Sequence, residues 1–168
     1  MTRAVETMVF GHNGHFPNSG LPVIVYRNAI AGPVTTEAVR AMFARNDWPP
    51  RWVDTIFDYY HYHSTAHEAL GVVSGKGELA VGGPGERVLE IVQGDVVALP
   101  AGVVHKLEES SENFAVVGAY PPGQDWDILT GKDGEWDTAI ANIARVPLPG
   151  TDPVEGVDGP LPGLWGKV

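Results

Sequence analysis

The chain has 168 residues, a formal net charge of -10 and no cysteine. That length suits one domain with a substantial core, and the missing thiols exclude disulfides, thiolate catalysis and Cys-ligated zinc. The acidic balance, with no lysine or arginine cluster to offset it, argues against nucleic acid and against an anionic membrane surface as partners.

Residues 1–10 hold no leader-like apolar stretch and no segment approaches bilayer-spanning length, so a cytoplasmic location is the simplest reading. Residues 8–10 read as a short strand. The histidines at His12 and His15 sit among glycines, and loop exposure explains them better than a shared metal. Residues 21–26 form a β-branched strand candidate bounded by turn residues. The clearest helix spans 35–46. Thr35 or Thr36 caps it, Glu37 suits its first turn, and Val39, Met42 and Phe43 share one face. Pro49-Pro50 stops it, and residues 52–60 bring aromatic surface toward the middle of the chain.

From residue 60 the pattern changes to short strands at 60–63, 69–74, 78–81, 87–92, 95–99, 103–107 and 114–120. Turn residues separate them at 75–77, 82–85, 93–94 and 108–112. Gly82-Gly83-Pro84-Gly85 lacks the Lys-Ser/Thr and helix start of a phosphate loop, so it reads as a hairpin turn. Even spacing of this kind predicts an all-β fold, closed or double-sheeted. Residues 134–145 read as a second helix, with Trp136, Ile140 and Ile143 on one face. The tail, rich in proline and glycine, is expected to lie extended on the surface with Leu161, Leu164 and Trp165 as anchors. The whole reads as one domain, 1–168. Its core is about 55–120, with N-terminal strands and helix at 8–46 and a C-terminal helix and extended tail at 134–168.

Four of the six histidines fall between residues 61 and 105. Strand alternation puts His61 and His63 on one face, about 7 Å apart, and turns Tyr60 and Tyr62 to the other. Glu68 follows after a turn's length, and His105 returns from far along the chain behind Pro100 and Gly102. Three imidazoles and a carboxylate at this spacing favour a metal site over isolated, hydrogen-bonded core histidines.

His61-x-His63-x4-Glu68-x6-Gly75 and Gly94-x5-Pro100-x-Gly102-x2-His105 resemble the two motifs of the cupin superfamily. Further likeness at 17–26, 43–46, 61–68 and 119–126 resembles the YjlB-like group of bacterial cupins, whose function is unassigned. Two positions depart from the superfamily pattern: Thr55 replaces a glycine before the first motif and Glu109 an asparagine after the second.

The resemblance implies a double-stranded β-helix, or jelly-roll barrel, with one or two short flanking helices. It implies one divalent transition metal ion (Fe, Mn, Ni, Co, Cu or Zn) held by His61, His63, Glu68 and His105. His67 is the rival to Glu68, because alternation lets only one of the two neighbours face the metal. In an octahedral ion such a set leaves two positions open, which suits oxygenase chemistry. The expected function is therefore a metal-dependent enzyme of oxygenase type acting on a small molecule inside the barrel. A non-catalytic binding or sensing module and a metal-dependent isomerase are the alternatives. No catalytic base is marked, no organic cofactor is expected, and a homodimer is expected by family analogy alone.

Overall fold

The computed structural model describes residues 4–166. Nine strands and three helices follow one another: β1 (Glu6–Phe10), β2 (Ser19–Tyr26), α1 (Thr36–Arg45), β3 (Pro50–Asp54), β4 (Glu68–Ser74), β5 (Lys76–Val81), β6 (Arg87–Val92), β7 (Val96–Leu99), β8 (His105–Ser110), β9 (Ala115–Ala119), α2 (Trp136–Arg145) and α3 (Leu161–Trp165). The strands form a six-stranded sheet, β1-β2-β7-β4-β9-β3, and a three-stranded sheet, β6-β5-β8. All pairings are antiparallel. The all-β, two-sheet architecture expected from the strand spacing, and the jelly roll implied by the resemblance, are observed.

Side-chain alternation explains how the larger sheet can be apolar on both faces. On β2 and β7, Val23, Val25, Val97 and Leu99 point into the space between the sheets, where they meet Leu79, Val81, Leu89, Ile91 and Leu107. Ile24, Tyr26, Val96 and Ala98 point outward and are covered by Val39, Met42 and Phe43 of α1 and by Leu161 and Trp165 of α3. Contact with α1 is close enough to require glycine on β4: a Cβ at Gly71 would lie 2.6 Å from Val39 Cγ1 and 3.0 Å from Phe43 Cζ. The helix itself forms as its sequence suggests. Thr35 accepts a hydrogen bond from Ala38 N as N-cap, and Val39, Met42 and Phe43 are its buried side chains.

Several elements differ from the sequence reading. Residues 50–54 form a strand despite Pro50, because β3 lies at the sheet edge, where a missing N–H is tolerated. Residues 60–63 are not a continuous strand. His61 and Tyr62 make isolated bridges to His105 and Leu129, and the last strand of the second motif begins at His105 rather than at 103 and runs on to Ser110. The 82–85 turn does join a hairpin, with Val81 opposite Arg87.

On α2 the apolar residues Trp136, Ile140 and Ile143 do not form the buried face, and Ala139 is the helix's buried residue. The tail is more tightly fixed than an extended surface strand. Asp152, wholly buried, accepts from Tyr26 Oη at 2.7 Å and from Leu161 N at 3.0 Å. Trp165 donates its indole N–H to the Pro22 carbonyl at 2.9 Å, so residues 161–165 close as a short helix. Residues 167 and 168 of that predicted tail lie outside the described residues, as do residues 1–3.

Candidate metal centre

His61, His63 and His105 come together. One ring nitrogen of each lies within 4.8 Å of the others, and all three residues are buried. The backbone accounts for this. His61 N donates to His105 O at 3.1 Å and His105 N to His61 O at 2.9 Å, which sets the two residues side by side with ring centroids 4.2 Å apart. His63 shares the face of His61, as alternation predicts, with centroids 5.6 Å apart. Tyr62 turns the other way and donates to Glu135 Oε2 at 2.6 Å. Gly102 locks the second motif onto the first: its N–H donates to His63 O at 2.8 Å. Its φ of +100° and the nearby Asn18 carbonyl leave no room for a Cβ.

Glu68 enters the same space from β4. It is inward-facing like Leu70 and buried, with Oε2 3.4 Å from His63 Nε2 and Oε1 3.3 Å from His105 Nε2. His67 faces the opposite side of the strand. Its ring packs on Trp165 at 4.7 Å and its Nδ1 accepts from Ala101 N at 2.9 Å. Its Nε2 is buried near Pro147 without a well-formed hydrogen bond. The strand's alternation therefore brings Glu68 to the cluster and takes His67 away from it. His12 and His15 are exposed and lie apart, as expected for loop residues.

The tautomers follow from hydrogen-bond accounting. Nδ1 of His61, His63 and His105 lies 2.9, 2.5 and 3.0 Å from the carbonyls of Tyr59, Asp127 and Val103. A carbonyl can only accept, so each Nδ1 carries the proton and each neutral ring keeps its lone pair on Nε2. Glu68 Oε2 accepts from Tyr120 Oη at 2.6 Å, while Oε1 is buried with no donor among the described residues. The three rings thus turn Nε2 toward one buried space, where His63 Nε2 and His105 Nε2 lie 3.4 and 3.3 Å from the Glu68 oxygens.

A cation suits that arrangement. A proton can fill one edge. Burial alone would lower His63, but Glu68 overrides it and holds the ring above its ordinary value. Burial would likewise raise Glu68, yet the His63 and His105 rings hold it well below the usual carboxylate range. His61 stays neutral, pushed down to about 3 by burial and then by the neighbouring rings. A divalent ion would satisfy all four atoms together, so the residues present fit one.

Beside the cluster lies a cavity of about 210 Å3. Its wall includes three residues that sequence reasoning passed over as site residues: Trp52, Tyr120 and Trp126. Trp52 Nε1 donates to Tyr120 Oη at 2.7 Å, and Tyr120 passes its own hydrogen on to Glu68. Burial, with the Glu68 carboxylate next, raises the Tyr120 phenol and keeps it a protonated donor. Trp126 stacks on Tyr120 with centroids 4.3 Å apart and planes 4° from parallel. The available signal was positional, since Tyr120 immediately follows β9, the strand beside β4 in the sheet. Asp127 was missed as well. Its carbonyl holds His63, and its side chain accepts from Ser64 N at 2.6 Å and from Ser64 Oγ at 2.5 Å.

Residues 53–117 match the model of the cupin domain. The chain is 36% identical over 168 residues to the uncharacterised protein YjlB of Bacillus subtilis (strain 168), covering 99% of this chain and 100% of that one. Among solved structures, a cupin-like protein from Thermotoga maritima aligns with a TM-score of 0.34 and 19% identity. That alignment covers 77% of this chain and 95% of the other.

Proposed function

We propose that this chain, which belongs to the cupin family alongside YjlB, is a mononuclear metal-dependent enzyme acting on a small molecule in its barrel, with oxygenase chemistry. One observation carries the metal: ring nitrogens of His61, His63 and His105 lie within 4.8 Å of one another in a buried space, with Glu68 oxygens 3.4 and 3.3 Å from His63 Nε2 and His105 Nε2. The adjoining cavity carries the small molecule, because it opens beside the cluster and includes all four residues in its wall.

In this reading His61, His63, His105 and Glu68 hold the ion, and a bound Fe(II) supplies redox chemistry toward O2. The chain's own residues contribute position and dryness. Three backbone carbonyls fix the ring orientations and the Nδ1–H tautomers, and the buried wall excludes water from the reacting end. Tyr120 holds its proton between its own oxygen and Glu68 Oε2, which keeps that carboxylate oxygen oriented.

Elemental analysis of purified protein tests the metal. Oxygen uptake by anaerobically Fe(II)-loaded protein, offered diketones, thiols, phenols and sugar derivatives, tests the reaction. Uptake that depends on one substrate class supports an oxygenase. Silence across the panel, together with saturable binding by calorimetry, replaces it with a non-catalytic binding module.

A further inference from the structure

The cavity runs from the buried cluster to an exposed rim where Phe57 and Ile128 are 44% and 45% accessible. Between these ends the wall is mostly aromatic and aliphatic, with Trp52, Trp126, Ile56 and Leu70 as its main surfaces. No lysine or arginine among the described residues lines it. Arg51 is held outside, 5.2 Å over the Trp126 ring and 3.3 Å from Asp125.

Donors close to the cluster are already engaged: the Trp52 indole with Tyr120, the Tyr120 hydroxyl with Glu68, and the three imidazole Nδ1 atoms with carbonyls. The ionisable group at the rim is Asp54, an acid. A negatively charged ligand body would therefore lose its water without meeting a countercharge. A polyol body would find Asp54, Thr55 and the Trp126 indole N–H as partners and lose its other hydrogen bonds to water against indole and aliphatic carbon. A flat apolar body loses nothing of that kind and covers the walls.

We infer that the ligand is a small molecule with an uncharged, flat apolar body, aromatic or alicyclic, whose chelating oxygens face the cluster while its body lies between Trp52, Phe57 and Trp126. The same wall favours such a body over sugars, phosphate esters, dicarboxylates and amino acids. This rests on the cluster holding a metal ion, as proposed above.

The test keeps one chelating head and varies the body. Full-length protein loaded with Zn(II), its content checked by elemental analysis, is titrated with benzohydroxamate, acetohydroxamate and succinomonohydroxamate. Binding is followed by tryptophan fluorescence and by calorimetry. Benzohydroxamate is expected to bind about tenfold tighter than acetohydroxamate, since its ring buries apolar surface. Succinomonohydroxamate, with a charged body, is expected to bind more weakly than both.

The exposed position of Ile128 allows I128K to fold, and that rim cation should raise succinomonohydroxamate affinity about fivefold with acetohydroxamate unchanged. Succinomonohydroxamate binding to the unaltered protein as tightly as benzohydroxamate overturns the inference and leaves the metal centre standing. Protein that takes up no zinc overturns the metal centre and the inference with it.

Discussion

Replacing Glu68 by glutamine separates a metal ligand from a structural carboxylate, because the two roles predict opposite results. In metal-free protein the amide can turn its nitrogen to the Oε1 position and donate to His105 Nε2, which now stands 3.3 Å from that oxygen. It also keeps a carbonyl oxygen for Tyr120. E68Q without metal should therefore be about as stable as the parent chain, within about 1 kcal/mol. The metal-loaded protein should differ sharply.

Loss of an outer-shell partner commonly costs about 10–100-fold in metal affinity, so loss of a charged ligand should cost about 100-fold or more. At a free metal concentration about 1,000 times the parent Kd, binding stabilises the parent by about 4 kcal/mol and E68Q by about 1.4 kcal/mol. For a chain of this size the difference, about 2.7 kcal/mol, is a melting shift smaller by about 5–11 °C. The assay is scanning calorimetry with and without Zn(II) or Mn(II), and H67Q serves as the comparison. Equal metal-induced shifts in E68Q and the parent, with the shift lost in H67Q, would refute the assignment of Glu68 and restore His67.

Tyr120→Phe strands the Trp52 indole N–H and removes the one donor to Glu68 Oε2. Its melting temperature should fall by about 2–12 °C, for a cost of about 1–3 kcal/mol, and an unchanged value would show the chain of hydrogen bonds to be dispensable. Trp165→Ala opens a cavity under the wholly covered outer face of the large sheet. It should cost about 3–5 kcal/mol in denaturant unfolding, and a cost below about 1 kcal/mol would mean that the tail does not brace the barrel. Stability should also fall with pH through His67, whose burial lowers it to about 4. Between about pH 6.5 and 4 the unfolded chain takes up a proton that the folded one refuses. His67's share of stability is therefore lost as pH drops through that window, by roughly 3 kcal/mol, beside the share of His61, which burial pushes down to about 3. Urea titrations at pH 7, 5.5 and 4 measure this, and H67Q should shrink the loss by about that amount; a loss unchanged in H67Q assigns it elsewhere.

The strands were legible where alternation and turn residues agree, as along β6 and at the 82–85 hairpin. β3 was hidden by Pro50, since a proline reads as a break unless its place at a sheet edge is known. The bridges at His61 and Tyr62 were read as a strand because two alternating residues carry the same pattern as six. On α2 the periodic apolar residues suggested a buried face, yet the helix buries Ala139 instead. Periodicity reports which residues share a face and leaves open whether anything covers it.

For the candidate site, the motif resemblance pointed to His61, His63 and His105, whose rings the structure brings together, and to Glu68 with His67 as its rival. That choice lies in which side of β4 each residue takes. Its register against β7, with Glu68 opposite Leu99 and Ala69 opposite Ala98, sets Glu68 inward and His67 toward Trp165. The hydrogen bonds that give the cluster its chemical meaning are less visible still. Carbonyls of Tyr59, Val103 and Asp127 orient the rings, and a carbonyl is the same atom in every residue, so no side-chain motif can announce it. Asp127 shows what this implies. Its carbonyl fixes His63 from 64 positions away, and it is held there by Ser64, whose hydroxyl also accepts from Asn142 of α2 at 3.1 Å. A change at Asn142 would therefore act on His63 through Ser64, its chain neighbour, and through Asp127, and its effect on metal affinity should stay well below that of changing Glu68 itself. The distinction between holding a ligand and being one is a matter of backbone geometry.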